Sequence, residues 1–308
     1  MEALQGRDVL SLADLNAVEI LSVLDFAAQL KAGTVQAYCP QVLGLLFTKA
    51  STRTRVSFSV AMSRLGGQVL DLSPGQTQIG RGEPLKDTAR VLDRYLDALA
   101  VRTFAQADLE TIASYSHMPV INALTDREHP CQILADLLTI QEQFGTLAGL
   151  TLAYLGDGNN VAHSLLLGCA LVGMNVVVAT PTDYAPLPEI VAQAGAIAAN
   201  RSQVKLTQDP QAAVQAAQIL YTDVWASMGQ EDEAKQRLPI FAPYQINAEL
   251  LTLADPNAIV LHCLPAHRGE EITTEVLEGT QAQIWNQAEN RLHTQQALLA
   301  SLLGATLR

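Results

Sequence analysis

Ser51-Thr52-Arg53-Thr54-Arg55 brings three hydroxyls and two guanidinium groups together within five residues. The run lies between an apolar stretch, 42–48, that reads as a strand and a helical pattern beginning near Arg55. It therefore falls at a helix N-terminus, where free backbone N–H groups and the positive end of the helix dipole favour an anion. Forked guanidinium donors match phosphate oxygens, so phosphate is the natural guest. An ordinary N-cap with solvent-facing arginines is the alternative. The surroundings favour the anion: from Phe26 to Leu70 there are five cations, Lys31, Lys49, Arg53, Arg55 and Arg64, and no acidic residue.

Further chemistry-bearing groups stand where other strands should end. His129-Pro130-Cys131-Gln132 presents two neutral polar side chains three residues apart, a pair that can hold a carbonyl or amide without adding charge. A capping histidine is the plainer reading, and two donors without a partner cluster make a poor metal site. Gly156-Asp157-Gly158-Asn159-Asn160 resembles a dinucleotide fingerprint, but Val161 stands where the third glycine belongs. A small polar ligand on Asn160 fits equally well. Asp223 precedes a long loop, Trp225 to Leu238, and can either bind an ammonium group or cap the following turn. His262-Cys263-Leu264-Pro265 closes the last apolar stretch; an isolated cysteine there usually serves packing.

The elements that must position these groups alternate regularly. Ser11 with Asp14 reads as a capping box for a first helix running to Gly33. Strands then follow at 42–48, 68–72, 98–104 and 120–125, with helices at 55–65, 84–95, 108–115 and 130–144. A second series places strands at 151–155, 175–180, 203–206, 219–224 and 258–264, and a closing helix at about 283–303. Such alternation predicts α/β architecture: two domains, each a parallel sheet flanked by helices, with the C-terminal helix packing back on the first domain. The break is expected near 143–149, giving domains 1–143 and 144–308. Ligands of such sheets bind outside the carboxyl ends of the strands.

The bulk properties narrow the field. In 308 residues there are 31 acidic and 19 basic side chains, a formal charge of −12, which disfavours nonspecific nucleic-acid binding. The apolar fraction of 49% excludes disorder. The longest apolar run, 165–174, is half of what a membrane span requires, so a soluble chain is expected. No secretory signal is visible, and Cys39, Cys131, Cys169 and Cys263 lack CxxC spacing, so a cytoplasmic protein without a disulfide framework or zinc ribbon is expected.

Taken in order, Ser51 to Arg55, Gln78-Ile79-Gly80, Arg102, His129 to Gln132, Gly156 to Asn160, Asp223 with Ser227-Met228-Gly229, His262 to Pro265 and Glu289-Asn290-Arg291 resemble the aspartate/ornithine carbamoyltransferase superfamily over nearly the whole chain. The Ser-Met-Gly loop and the cysteine of His-Cys-Leu-Pro resemble its ornithine branch. The resemblance implies transfer of a carbamoyl group from carbamoyl phosphate to the side-chain amine of ornithine, in arginine biosynthesis. It implies carbamoyl phosphate on Ser51, Thr52, Arg53, Thr54, Gln78, Arg102, His129, Gln132, Cys263, Leu264 and Arg291, and ornithine on Asn160, Asp223, Ser227 and Met228. Arg102, His129, Asp223 and Cys263 would be catalytic. No cofactor or metal is implied, and a homotrimer, with Gln78 acting across a subunit contact, is. The loop 226–240 would close over both substrates. Another amine acceptor, putrescine or N-acetylornithine, is the nearest alternative, and a nicotinamide-dependent oxidoreductase using 156–160 a more distant one.

Overall fold

The computed structural model describes residues 2–73, 77–226 and 233–307. They form two compact units, Met1–Leu138 with Glu289–Arg308, and Thr139–Ala288, so the end of the last helix belongs to the first unit, as the alternation pattern predicts.

The first unit is built on strands β1 (Ala37–Tyr38), β2 (Val42–Phe47), β3 (Gln68–Asp71), β4 (Ala98–Arg102) and β5 (Val120–Leu124). β2 to β5 form a parallel sheet in the order β3-β2-β4-β5. The inner strands, β2 and β4, are apolar up to Arg102 at the very end of β4, as strands covered on both faces must be. Helices α1 (Ala17–Ala32), α2 (Thr52–Arg64), α3 (Leu85–Leu92), α4 (Gln106–Ser114) and α5 (Pro130–Phe144) alternate with them. From α3, α4 and the strands, Leu46, Ala89, Leu99, Leu109, Ile112 and Val120 share one core.

Two local expectations shift. The Ser11–Asp14 capping box is present, but it closes a single 3-10 turn, Leu12–Asp14. α1 starts afresh at Asn16, which forms a second box with Glu19 and satisfies the same orphan N–H groups one turn later. α2 begins three residues before the expected Arg55, because Ser51 is its N-cap: the Ser51 hydroxyl accepts from Thr54 N–H.

In the second unit, strands β6 (Thr151–Leu155), β7 (Asn175–Ala179), β8 (Val204–Thr207), β9 (Ile219–Thr222) and β10 (Ile259–His262) form a parallel sheet in the order β10-β9-β6-β7-β8. Helices α6 (Asn160–Val172), α7 (Pro188–Ala198), α8 (Pro210–Val214), α9 (Ala234–Phe241), α10 (Ala248–Leu251) and α11 (Thr274–Leu277) connect or follow them. The last helix, α12 (Ile284–Leu302), runs into the first unit and leads to β11 (Thr306–Leu307). β11 pairs antiparallel with β1, a two-residue ladder that carries no periodicity a sequence could reveal.

Each sheet has one point at which the strand order reverses. β2 leads to β3 on one side while β4 returns on the other; likewise β6 leads to β7 while β9 returns on its other side. At such a reversal the loops after the two strands turn opposite ways and leave a crevice. The crevices open after Phe47 and Arg102 in the first unit and after Leu155 and Thr222 in the second.

Candidate functional site

The first-unit crevice collects most of the predicted anion-binding groups. Arg102 is the last residue of β4, paired with Phe47 of β2. The β4–β5 register slips between Val101 and Arg102, a bulge of the kind that re-aims a strand-end side chain. Arg102 Nη1 lies 3.5 Å from Thr54 Oγ1, and Arg291 Nη2 donates to the same oxygen at 2.7 Å. Thr54, Arg102 and Arg291 are all buried. Two cationic forks thus converge on one hydroxyl in the first turn of α2, beside the free N–H groups of its N-terminus.

His129 is buried next to these cations. Desolvation first, then Arg291 and Arg102, push its pKa well below the usual histidine range, so the ring is neutral near neutral pH. A neutral imidazole can donate one N–H without adding charge. Gln132, one turn into α5, donates from Nε2 to Asp136 Oδ1 at 2.8 Å. Because a carboxylate only accepts, this bond fixes the amide's orientation and turns Oε1 away from it. Gln132 Oε1 is buried and has no hydrogen-bond partner among the described residues. It is an acceptor waiting for a donor, and a ligand NH2 group is such a donor.

The remaining first-unit candidates differ in setting. Thr52 and Arg53 are exposed in the first turn of α2, and Gln78 is exposed on the 3-10 turn Gln78–Arg81. Arg55 ion-pairs with Asp71 and lies over the Phe47 ring, while buried Lys49 is held by Asp126 at 2.5 Å and the Phe104 ring. These two cations of the acid-free stretch are neutralised by residues beyond it. Cys131 packs against the Asn122 carbonyl, and burial pushes its thiol up to about 12, which leaves it inert.

The second-unit crevice is organised around Asp223, which follows β9 and is buried. Its Oδ1 accepts from Cys263 Sγ at 2.9 Å and its Oδ2 from Asn159 Nδ2 at 2.9 Å. Asn159 is the N-cap of α6, its Oδ1 taking the N–H groups of Val161 and Ala162. Asn160, the residue expected to hold ornithine, is the first residue of α6, directly after the Asn159 that bonds Asp223. The Asn-x-x capping signal at Asn159 was there to be read. Leu264, with φ 59, follows Cys263 and donates its N–H to His262 Nδ1 at 2.8 Å. Donor atoms of Asp223, His262 and Cys263 lie within 4.8 Å of one another, close enough to share a metal ion. Both His262 nitrogens and the Cys263 thiol are, however, already engaged in hydrogen bonds.

Two charged residues that sequence reasoning passed over complete this crevice. Arg237 of α9 is buried, donates to Asp157 Oδ2 at 3.0 Å and to the Trp225 carbonyl at 2.9 Å, pairs with Glu233, and lies over the Tyr184 ring. It therefore ties both flanks of the segment that contains Ser227 and Met228 to the β6 end. Ser227 and Met228 themselves, with the rest of 227–232 in the expected closing loop 226–240, lie outside the described residues. Asp157 sits at about 6 despite Arg237, because desolvation outweighs the opposite charge and Asp223 and Glu233 add to it. The signal for Arg237 was the Glu233–Arg237 spacing at i, i+4 in an otherwise polar loop.

The glycine pattern also resolves. A Cβ at Gly158 would lie 2.3 Å from Pro186 N and 2.5 Å from Tyr184 O, so backbone, rather than a pyrophosphate, demands the glycine.

Comparison with known proteins agrees with this division of labour. Residues 7–142 match the model of the aspartate/ornithine carbamoyltransferase carbamoyl-P binding domain, and residues 148–302 that of the Asp/Orn binding domain. The ornithine carbamoyltransferase of Thermosynechococcus vestitus is 70% identical over 98% of either chain. Among solved structures, that of the Gloeobacter violaceus enzyme of the same name is 58% identical with a TM-score of 0.89, covering 96% of this chain and 98% of that one. The one from Pyrococcus furiosus is 47% identical with a TM-score of 0.93 over 98% of each.

Proposed function

The chain belongs to the aspartate/ornithine carbamoyltransferase family, and from that premise we infer that it transfers the carbamoyl group of carbamoyl phosphate to the side-chain amine of L-ornithine, giving L-citrulline and phosphate in arginine biosynthesis. Residues 1–143 carry carbamoyl phosphate and 144–308 ornithine, with Arg291 of the last helix serving the first site. The observation that carries this reading is the convergence of Arg102 and Arg291 on Thr54 Oγ1 at the N-terminus of α2.

The chemistry follows from these groups. The phosphate sits on the hydroxyls and N–H groups of Ser51, Thr52 and Thr54 with Arg53, and Gln78 completes its enclosure. Arg102, Thr54 and the neutral His129 donate to the carbonyl oxygen, while Gln132 Oε1 accepts from the carbamoyl NH2. When the amine nitrogen attacks the carbonyl carbon, negative charge builds on that oxygen; one preorganised donor there commonly contributes about 10²–10³ in rate. The bond between the carbonyl carbon and the bridging oxygen then breaks and its electron pair leaves with phosphate, whose growing charge Arg53, Arg102 and Arg291 offset. Phosphate is a competent leaving group, so these cations suffice without a cofactor.

The nucleophile is the harder half. An alkyl amine of pKa ~10.4 is neutral in only about one molecule per thousand at neutral pH. Asp223 holds the α-amino group of ornithine, with Asn160, Ser227 and Met228 around the amino acid. Cys263 lies beside the side-chain amine and passes its own S–H proton to Asp223 Oδ1, to which it is hydrogen-bonded, as its sulfur takes up the proton of the amine, and Leu264 adjoins the carbamoyl group. The oligomer is a homotrimer, with Gln78 reaching a neighbouring copy's site. Four free cysteines support a cytoplasmic location, where thiols stay reduced.

A citrulline-type colorimetric assay with carbamoyl phosphate and a panel of ornithine, N-acetylornithine and putrescine tests the reading. Ornithine is expected to give the highest kcat/KM; turnover of another amine in its place would reject it.

A further inference from the structure

His262 and Glu271 form an ionisable pair whose side chains are both fully buried and to which the mechanism above gives no role. We propose that Glu271 and His262 are positioning residues that hold the Leu264 backbone, and with it the adjacent Cys263 thiol, in the conformation the acceptor amine requires. The proposal rests on the carbamoyltransferase reading above.

The hydrogen bonds dictate the protonation pattern. Leu264 N–H can only donate, and it lies 2.8 Å from His262 Nδ1, so Nδ1 must be the bare nitrogen. The single ring proton then belongs on Nε2, 3.1 Å from Glu271 Oε1, to which it donates. The other neutral tautomer would set two donors against each other at Nδ1 and leave Nε2 facing a carboxylate with no proton between them. Glu271 thus selects the tautomer that accepts from Leu264. The carboxylate is itself anchored, accepting from His267 N–H at 2.5 Å, and the His262 backbone N–H donates to Gln287 Oε1 at 2.9 Å.

What this relay holds is a backbone that would otherwise relax. Leu264 has φ 59, a left-handed conformation that is strained for a residue with a side chain and persists only where the surroundings over-determine it. Without the acceptor at Nδ1, the Cys263–Leu264 peptide loses the hydrogen bond that fixes its N–H. The Cys263 thiol would then lose its line to Asp223 Oδ1, 2.9 Å away.

Two substitutions separate positioning from mere packing. In His262→Asn the amide oxygen falls near the place of Nδ1 and can still accept from Leu264. In His262→Gln the longer amide reaches Glu271 and leaves Leu264 N–H without its acceptor. We expect His262→Asn to keep kcat within about threefold of the wild type. His262→Gln should lose about 10–100-fold in kcat with a raised ornithine KM and an unchanged carbamoyl phosphate KM, the loss of one buried hydrogen bond. Equal losses in the two variants, or none in either, would overturn the proposal. Should either variant fail to fold, ¹⁵N NMR of the wild-type imidazole decides: protonated Nε2 and bare Nδ1 are expected, and the reverse tautomer defeats the idea. The NMR result is independent of turnover, so a wild-type protein making no citrulline would reject the functional reading and leave the tautomer still to judge this one.

Discussion

Gln132 illustrates how a side chain becomes specific through its second bond. Asp136 takes one Nε2 proton and so fixes which end of the amide is the acceptor, leaving Oε1 for a ligand donor, and an unmade bond of a buried acceptor is costly. Gln132→Leu should therefore leave phosphate binding largely intact while reducing kcat by about 10²-fold, read from steady-state kinetics against isothermal titration with phosphate. Loss of phosphate affinity instead would mean that Gln132 serves the anion. Asp157 makes the complementary case for charge. The folded chain keeps its proton up to about pH 6, whereas the unfolded chain releases it near 3.8, so the folded state binds more protons between the two values. This group's contribution to stability thus falls as pH rises through that window, by about 3 kcal/mol in all. Denaturant titrations of wild type and Asp157→Asn at pH 4 and pH 7 should diverge by that amount in favour of the asparagine at the higher pH, and parallel curves would contradict the assignment. Residue types were legible in both cases. The charge state of Asp157 was not, because burial sets it, whereas the Gln132–Asp136 bond spans only one helical turn and its spacing was there to be read.

At the scale of elements, the strand-to-helix junctions do the positioning. Ser51 caps α2 and Asn159 caps α6, and each cap stands immediately after a strand at a reversal of strand order. The cap that ends an extended segment also aims the helix N-terminus into the crevice. Gly158 shows how tight the second junction is. Its missing Cβ leaves room for the backbone of Tyr184 to Pro186, and Gly158 N–H donates to the Tyr184 carbonyl at 2.8 Å. Gly158→Ala must displace backbone rather than a flexible side chain, an overpacking cost of about 1–3 kcal/mol. Calorimetry should show a Tm lower by roughly 2–8 °C, with the ornithine KM raised more than that for carbamoyl phosphate. An unchanged Tm would mean that the two segments are not so closely packed. The strand and helix order was legible because each element carries its own period. The boundaries moved where two signals competed, as when Ser11 and Asn16 both offered caps.

For the whole molecule, the trimer that we propose gives a solution mass near three times that of the 33.1 kDa chain, which light scattering coupled to size exclusion measures directly; a monomer would leave Gln78 exposed and without a site to serve. The net charge of −12 takes on a different meaning at this scale. The acid-free stretch from Phe26 to Leu70 looked like a positive patch, yet Lys49 and Arg55 are matched by Asp126 and Asp71. The cations that converge on Thr54 are Arg102 and Arg291, both outside that stretch. By itself, the sequence determined the α/β alternation, the helix caps and the residue types at each strand end, because these depend on periods and pairings a few residues long. Only the tertiary structure decided that Arg291 meets Thr54 across 237 positions, that Asn159 meets Asp223 across 64, and that the carboxylate of Glu271 faces His262 Nε2. Those meetings follow from which strands lie side by side where the strand order reverses, and hydrogen-bond direction and burial are defined only once they do.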